Sequence, residues 1–474
     1  MKIALIQLPH FYGDGLSRLP SSYPLGLGYI SNCLADAGIG HEAIDLWGMQ
    51  YSVDEALDKA GFAGFDFFGI SAYATQYKYL KELSLRLKGR YPNVPIICGG
   101  AGPTFSHGII LKKTGVDVCV LREGELTIVD LLQNFDRLDT VKGVAVLKDG
   151  GITATPPRKA VTDLDSLGFP NRELFAFEKI LDSAAFERSH RVSSATRDVP
   201  RRTADILAGR GCAYSCNYCS KTFEGMRLRS IGGVVEEIAG LKERYGVNHL
   251  QFNDELLLVN KKRTLQLCEE LKRLDVTWSC QGRINQVDRE ILTAMKDAGC
   301  IEVGYGVESV TQSILDAMNK RLKAELIVPA IKLTQEIGIT PIIQYMYGYP
   351  GENAKTVDAT IRFFEEIDHP FISFTTTPIP GTRLYQDCLQ KGLIKDEEDY
   401  LLRLDSGYNL AGGLLNMTEM GDAEFLAQRR RLHFAATHNY LKKRPLEYGS
   451  YALGVAGRRI KRAIKARLSG PGKR

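Results

Sequence analysis

The sequence predicts an α/β protein made of two successive parallel sheets, followed by a helical, basic C-terminal region. Three observations carry this. Apolar strand runs alternate with helical patterns along residues 1–150, and again along residues 201–385. Most strand runs end in a Gly-, Pro- or polar-rich exit. Three cysteines, Cys212, Cys216 and Cys219, follow the first strand of the second region with the spacing C-x3-C-x2-C.

In the first region, Lys2–Leu8 reads as an apolar strand, Leu25–Ala37 as a helix, and His41–Leu46 and Phe65–Ser71 as further strands. Lys78–Tyr91 is an amphipathic helix, Val94–Gly100 and Val116–Leu121 are strands, and Leu126–Asn134 is a helix. Such alternation predicts a doubly wound sheet, whose ligands sit beyond the carboxyl ends of the strands. The exits there are Pro9–Gly15, Ser71–Thr75, Gly99–Thr104 and Arg122–Glu125. Residues 151–200 form a turn-rich connector, and Ser189–Arg202, basic and without period, reads as a loop.

In the second region, strand Asp205–Gly209 leads into the cysteines. Strands His249–Asn253, Thr277–Gly282, Cys300–Tyr305, Thr340–Tyr347 and Phe371–Thr376 follow. Between them lie helices Ile231–Tyr245, Lys261–Leu274, Asp288–Ala298, Thr311–Met318, Lys323–Ile337 and Ala354–Ile367. About six βα units suffice for a partial barrel with its site at the strand carboxyl ends. Residues 386–474 turn helical and increasingly basic.

The 474 residues allow about three domains, and 44% apolar with 25% charged residues is ordinary for a globular protein. No run of 18 apolar residues predicts a membrane-spanning helix. The first residues read as a strand rather than a signal peptide. Ten cysteines in so long a chain do not read as a secreted disulfide framework, so a reducing cytoplasm is expected. The net charge of +5 is uneven: Arg429–Arg474 holds 14 Lys/Arg and one acid, Glu447, which leaves the rest at −8. Ala452–Leu468 has the pattern of a basic amphipathic helix. It reads as a solvated tail, as a peripheral contact with an anionic inner membrane surface, or as a protein contact. Nucleic acid is disfavoured, because no RNA-binding motif accompanies it.

Three thiolates on one loop can hold three irons of a 4Fe–4S cube and leave the fourth open. A zinc site would bring a second pair of ligands. Gly209-Arg-Gly-Cys-Ala-Tyr-Ser-Cys-Asn-Tyr-Cys219 resembles the radical S-adenosylmethionine (SAM) superfamily, and the resemblance extends over residues 200–385. It implies that the open iron chelates SAM and that reduction yields a 5′-deoxyadenosyl radical. It also implies roles for four strand exits. Asn253, Asp254 and Glu255 would accept from the SAM ammonium. Glu308 and Ser309, after Gly304 and Gly306, would meet its ribose or carboxylate. Tyr347-Gly-Tyr-Pro-Gly-Glu352 and Thr377-Pro-Ile-Pro-Gly-Thr-Arg-Leu-Tyr385 would wall adenine and substrate, and read equally as rigid turns. Arg283 is expected to face SAM or to make a structural ion pair. Tyr305 and Tyr347 are the catalytic candidates, with Gln344 and Thr377 as further substrate-facing positions.

Pro24-Leu-Gly-Leu-Gly-Tyr-Ile30, Gly99-Gly-Ala-Gly-Pro-Thr104, Arg122-Glu-Gly-Glu125 and Leu164-Asp-Ser-Leu-Gly-Phe-Pro170 resemble the cobalamin-binding radical SAM enzymes. This implies a flavodoxin-like first domain, with Gly99, Gly100 and Thr104 at the cofactor. Some cobalamin proteins ligate cobalt through Asp-x-His-x-x-Gly; here Leu8-Pro-His10-Phe-Tyr-Gly13 has Leu in place of Asp, so binding without a His ligand is expected. The implied reaction is methyl transfer from methylcobalamin to an unactivated carbon of a specialised metabolite or lipid precursor, with a flavodoxin or ferredoxin as reductant. Rearrangement, cyclisation or dehydration without methyl transfer is the alternative, and a non-catalytic iron–sulfur or cobalamin sensor is an alternative of another class.

Overall fold

The structure is a computed structural model that describes residues 1–12, 15–16, 22–188, 202–367, 369, 373–405 and 415–444. The first sheet takes strands β1 (Lys2–Gln7), β2 (Gly40–Asp45), β3 (Phe67–Ser71), β4 (Ile96–Gly99) and β5 (Val118–Val120) in the order β2-β1-β3-β4-β5, all parallel. That is the flavodoxin-like order, with ligand sites at the switch between β1 and β3. Ile3, Ala4, Leu5 and Ile6 are all buried, as a strand covered on both faces requires. One core lies under the helices Val53–Lys59, Tyr77–Arg90 and Ala101–Lys113, and the other under Leu25–Asp36 and Glu125–Gln133.

Three elements here depart from the sequence reading. The hairpin β6 (Val144–Lys148) and β7 (Gly151–Ala154) extends the sheet antiparallel, so the first sheet reaches into the expected connector. Helix Val53–Lys59 is additional to the expected elements, and Ser52 and Glu55 close a capping box on it. Helix Ala101–Lys113 was hidden by its glycines and proline. Pro103 is tolerated in a first turn, where its missing N–H would lack a partner in any case. Gly100 has φ +101° and Gly102 packs so closely on Ala72 that a Cβ would lie 2.8 Å from its carbonyl oxygen.

The second sheet takes β8 (Thr203–Ile206), β9 (His249–Phe252), β10 (Thr277–Gly282), β11 (Cys300–Glu308), β12 (Thr340–Tyr347) and β13 (Ser373–Thr375) in sequential order, all parallel. It is a partial barrel of six strands with helices outside. β11 runs three residues beyond its expected end, past an irregularity in register between Gly306 and Glu308. Its odd-numbered residues Val303, Tyr305 and Val307 are buried in the core beneath the helices. β12 behaves alike: Pro341, Ile343, Tyr345 and Tyr347 are buried, while Thr340, Ile342, Gln344 and Met346 are partly open.

The connector includes helix Phe177–Arg188; the expected loop 189–202 lies outside the described residues except for Arg202. After the barrel, helix Glu397–Arg403 returns to the first domain. Leu401, fully buried, joins that domain's core, and Glu398 meets Lys81 at 2.5 Å and accepts from the Tyr77 hydroxyl at 3.1 Å. Helix Asp422–Leu441 packs on the barrel helix Ala354–Ile367. The amphipathic stretch 452–468 lies outside the described residues. Among the described residues no helix is long and apolar enough to cross a membrane.

Candidate active site

The cysteine loop begins on a two-residue ladder, Gly209–Arg210 against Arg227–Leu228. Gly211 follows with φ +84°, and a Cβ there would lie 1.8 Å from the Gly225 carbonyl oxygen, so the turn admits only glycine. The turn after the helix Gln312–Ala317 grips the loop from the other side. Asn217 donates its backbone N–H to Met318 at 2.9 Å and its side-chain amide to Ala317 at 2.8 Å. Asn319 donates to the Ser215 carbonyl at 2.7 Å.

Cys216 is buried, Cys212 half-buried and Cys219 exposed, and none is in a disulfide. Two cations close on them. Arg283 stacks its guanidinium on the Tyr214 ring at 3.6 Å and reaches the Cys216 sulfur at 4.0 Å. Lys320, buried, bonds the Tyr218 hydroxyl at 2.9 Å and Glu308 at 3.0 Å. The Cys216 thiol is held below its usual range by the hydrogen bond with Cys219, and further by Lys320 and Arg283, against the opposing effect of burial. Among the described residues no three His, Cys, Asp or Glu side chains converge as a single metal ion requires. The donor set suits a cluster instead: three thiols on one loop, each a ligand for a separate iron, with cations to offset their charge.

The concave face of the barrel opens beside this loop. It carries Gln251, which accepts from Ser279 at 2.7 Å, and Gln281, whose amide fills the space over Gly304. Gly306 leaves room for Glu308: a Cβ would lie 2.5 Å from its Oε1. Gln344 belongs to the open side of β12.

The sequence-derived candidates divide accordingly. Glu255 is exposed at the β9 exit, while burial by its surroundings raises its pKa; it has no hydrogen-bond partner among the described residues. Asn253 is exposed but donates to Asp205 at 2.8 Å. Asp254 is a correction. Buried at 3% exposure and pushed up to about 7 by desolvation, it accepts the Ala208 N–H on both oxygens and braces the root of the cysteine loop. Arg283 faces the loop rather than the barrel interior. Ser309 accepts from the Thr311 N–H at 3.2 Å and shapes the turn after Glu308. Tyr305 and Tyr347 are corrections too. Tyr305 bonds Thr334 on the outer helix Ile327–Glu336 at 2.9 Å, and Tyr347 donates to the Phe425 carbonyl at 2.6 Å. Both side chains lie on the helix-facing side of their strands, because neighbouring strand residues alternate sides and the glycines and Gln344 hold the other.

The exits of the first sheet meet the barrel beside the cysteine loop. Ala74, after β3, packs in a cluster with Tyr218 and Tyr349; Phe105, after β4, lies on Gly381; Arg122, after β5, pairs with Glu224 at 2.5 Å. Tyr73, after β3, is 54% exposed and lies beside His10, with ring centroids 5.8 Å apart. Gly99 and Gly100 are partly open there. Thr104 is turned inward: its hydroxyl donates to the Gly100 carbonyl and accepts the Arg122 N–H, each at 2.8 Å. His10 packs edge-on against Trp47 at 4.6 Å.

Lys320, Tyr214 and Tyr218 were not foreseen. The tyrosines lie inside the cysteine motif, where alternating aromatic and thiol residues gave a local signal; Lys320 gave none, since it arrives from a turn 101 residues beyond Cys219.

Known proteins agree with this architecture. The profile of the radical SAM superfamily matches residues 206–364, and that of the B12 binding domain matches residues 15–132. An uncharacterized methyltransferase of Pyrococcus horikoshii is 28% identical over 340 residues, covering 69% of this chain and 70% of that one. The anaerobic magnesium-protoporphyrin IX monomethyl ester cyclase of Rubrivivax gelatinosus is 26% identical, covering 84% and 72%. The fold matches the radical SAM methyltransferase TsrM of Kitasatospora setae, solved with cobalamin and a [4Fe-4S] cluster, at TM-score 0.62, 18% identity and coverage of 83% and 75%. The chain is thus a radical SAM enzyme that carries a B12-binding domain ahead of its barrel. A small-molecule substrate accords with that class.

Proposed function

We propose that this chain is a cobalamin-dependent radical SAM methyltransferase that places a methyl group on an unactivated carbon of a small molecule. The observation that carries this is the contact between the two sites: the strand exits of the B12-binding domain pack against the cysteine loop and the segments beside it. When bound, the cluster supplies the electron that cleaves SAM, and the corrin supplies a methyl carrier.

The residues bind and orient. Cys212, Cys216 and Cys219 ligate three irons, with Arg283 and Lys320 offsetting their charge. Glu255 accepts from the SAM ammonium at the β9 exit. Gly304 and Gly306 make room on the concave face for Gln281 and Glu308, and Glu308, fixed by Lys320 and Tyr218, meets the SAM ribose or carboxylate. Gly99, Gly100 and Tyr73 border the corrin. Gln344 and the other neutral residues of the concave face contact the substrate.

A reduced flavodoxin or ferredoxin serves as electron donor. The substrate is a specialised metabolite or a lipid precursor; the lipid option is motivated by the basic residues of the tail. That option fails if removing residues 446–474 leaves binding to anionic liposomes unchanged. A second reading, cyclisation without methyl transfer, is favoured by the similarity to the cyclase.

The test is anaerobic reconstitution with iron, sulfide and cobalamin, then reduction with SAM bearing a labelled methyl. The methyltransferase reading expects stoichiometric cobalamin and 5′-deoxyadenosine, with label in the product once a substrate is supplied. 5′-Deoxyadenosine without cobalamin binding would give the lead to cyclisation or rearrangement. No 5′-deoxyadenosine at all would leave a sensor.

A further inference from the structure

Three of the motifs that resemble those of cobalamin-binding radical SAM enzymes converge on the joint between the domains. From Pro24-Leu-Gly-Leu-Gly-Tyr-Ile30, the Tyr29 ring lies 5.1 Å from the Arg210 guanidinium. In the same motif, a Cβ at Gly28 would lie 2.9 Å from Pro170, so this glycine seats the connector. From Arg122-Glu-Gly-Glu125, Glu125 pairs with Arg210 at 2.7 Å, and Glu123 pairs with Arg210 at 2.7 Å and with Arg227 at 2.9 Å. From Leu164-Asp-Ser-Leu-Gly-Phe-Pro170, Asp165 accepts the Ser230 N–H at 2.7 Å and pairs with Arg229. Phe223 closes the other side of Arg210 at 5.3 Å.

Arg210 and Arg227 are the paired residues of the ladder from which the cysteine loop springs, and Arg210 is two residues from Cys212. Both are buried to about nine-tenths or more, as are Glu123 and Glu125. Two guanidiniums face two carboxylates with charge balanced, in the planar geometry that Arg offers and Lys does not. Such a group tolerates little displacement, because sliding one partner leaves a buried charge unpaired.

We propose that Glu123 and Glu125 are positioning residues: through Arg210 and Arg227 they fix the cysteine loop, and hence the cluster, at one distance from the cofactor cleft of the B12-binding domain. The inference rests on the cobalamin reading above. The loop is thereby held by the domain whose cofactor its own cofactor must face.

The measurement is pulsed EPR of the full-length, anaerobically reconstituted protein, reading the distance distribution between the cob(II)alamin and reduced-cluster spins. In Glu123→Gln and Glu125→Gln, iron and cobalamin contents and cluster g values stay at wild-type levels, while the distribution widens at least twofold. Glu123→Asp, which keeps the charge, restores much of the narrowness. Wild-type width in both Gln variants overturns the proposal. If those variants do not fold, Tyr29→Leu, which removes the ring and leaves the ion pairs, is read the same way. A wild-type protein that takes up a cluster but gives no cob(II)alamin signal defeats the cobalamin reading itself, and this inference with it.

Discussion

The joint between the domains and the concave face of the barrel lie on either side of the cysteine loop, and their side chains differ in kind. At the joint, Arg210, Arg227 and Arg229 meet Glu123, Glu125, Asp165 and Glu237 in a mostly buried group. The concave face is mostly neutral or without side chains at Gln251, Ser279, Gln281, Gly304, Gly306 and Gln344, and its charge is confined to Asp205, Glu302 and the Glu308–Lys320 pair. Buried charge demands fixed partners, so it suits a place where geometry must not change. Neutral groups let ligands enter without stranding a charge. The contrast teaches that rigidity and access are assigned to different residues within one site.

Substitutions can break or sharpen this contrast. The largest effect is expected from Cys216→Ser: the reconstituted protein loses its cluster absorption and all reductive SAM cleavage while its circular dichroism is kept. Retained cleavage would remove Cys216 from the ligand set. Next is Lys320→Met, which strands Glu308 beside Tyr218. It should lower stability by about 3–5 kcal/mol in a denaturant titration. A loss no larger than that of a surface substitution would show that Glu308 does not depend on it.

Gly306→Val puts a side chain where Glu308 now lies, and overpacking of this kind costs about 1–3 kcal/mol. Equilibrium dialysis should show weaker SAM binding as well; unchanged binding would move the adenosyl group off this face. Glu352, which accepts from Tyr345 and from the Gly348 N–H, is pushed up to about 7 by burial. Its folded-state pKa lies above its unfolded one, so its contribution is fully present below 4.5 and is lost as pH rises through about 7. In Glu352→Gln, stability should fall less over that window, and an identical pH profile would contradict the assignment. Smallest is Tyr305→Phe, which removes one hydrogen bond to Thr334. It should cost about 1 kcal/mol and leave the rate of SAM cleavage unchanged. A lost rate would return Tyr305 to the site.

Both sheets were legible because their strands are short apolar runs between helical patterns, and a period of two or 3.6 is a local property. Helix Ala101–Lys113 was not, because its start depends on Gly102 packing against Ala72, a neighbour distant in sequence. The cysteines were legible because a cluster needs its ligands on one loop. Tyr305 and Tyr347 were misread although alternation alone separates Tyr305 from the flanking Gly304 and Gly306, and Tyr347 from Gln344, three positions away. Lys320 and the Arg210 joint were invisible, since each depends on residues that meet only after folding.

The returning helix Glu397–Arg403 has a consequence for how such a protein can be inherited. Leu401 completes the core of a domain that ended some 250 residues earlier, and Glu398 is tethered there by Lys81, Tyr77 and Lys113. The first domain therefore cannot be cut out at its last strand and grafted elsewhere as a ready-made module. A gene fusion that borrowed residues 1–155 alone would carry away a hole where Leu401 belongs, so the two halves of this enzyme are expected to travel through evolution together.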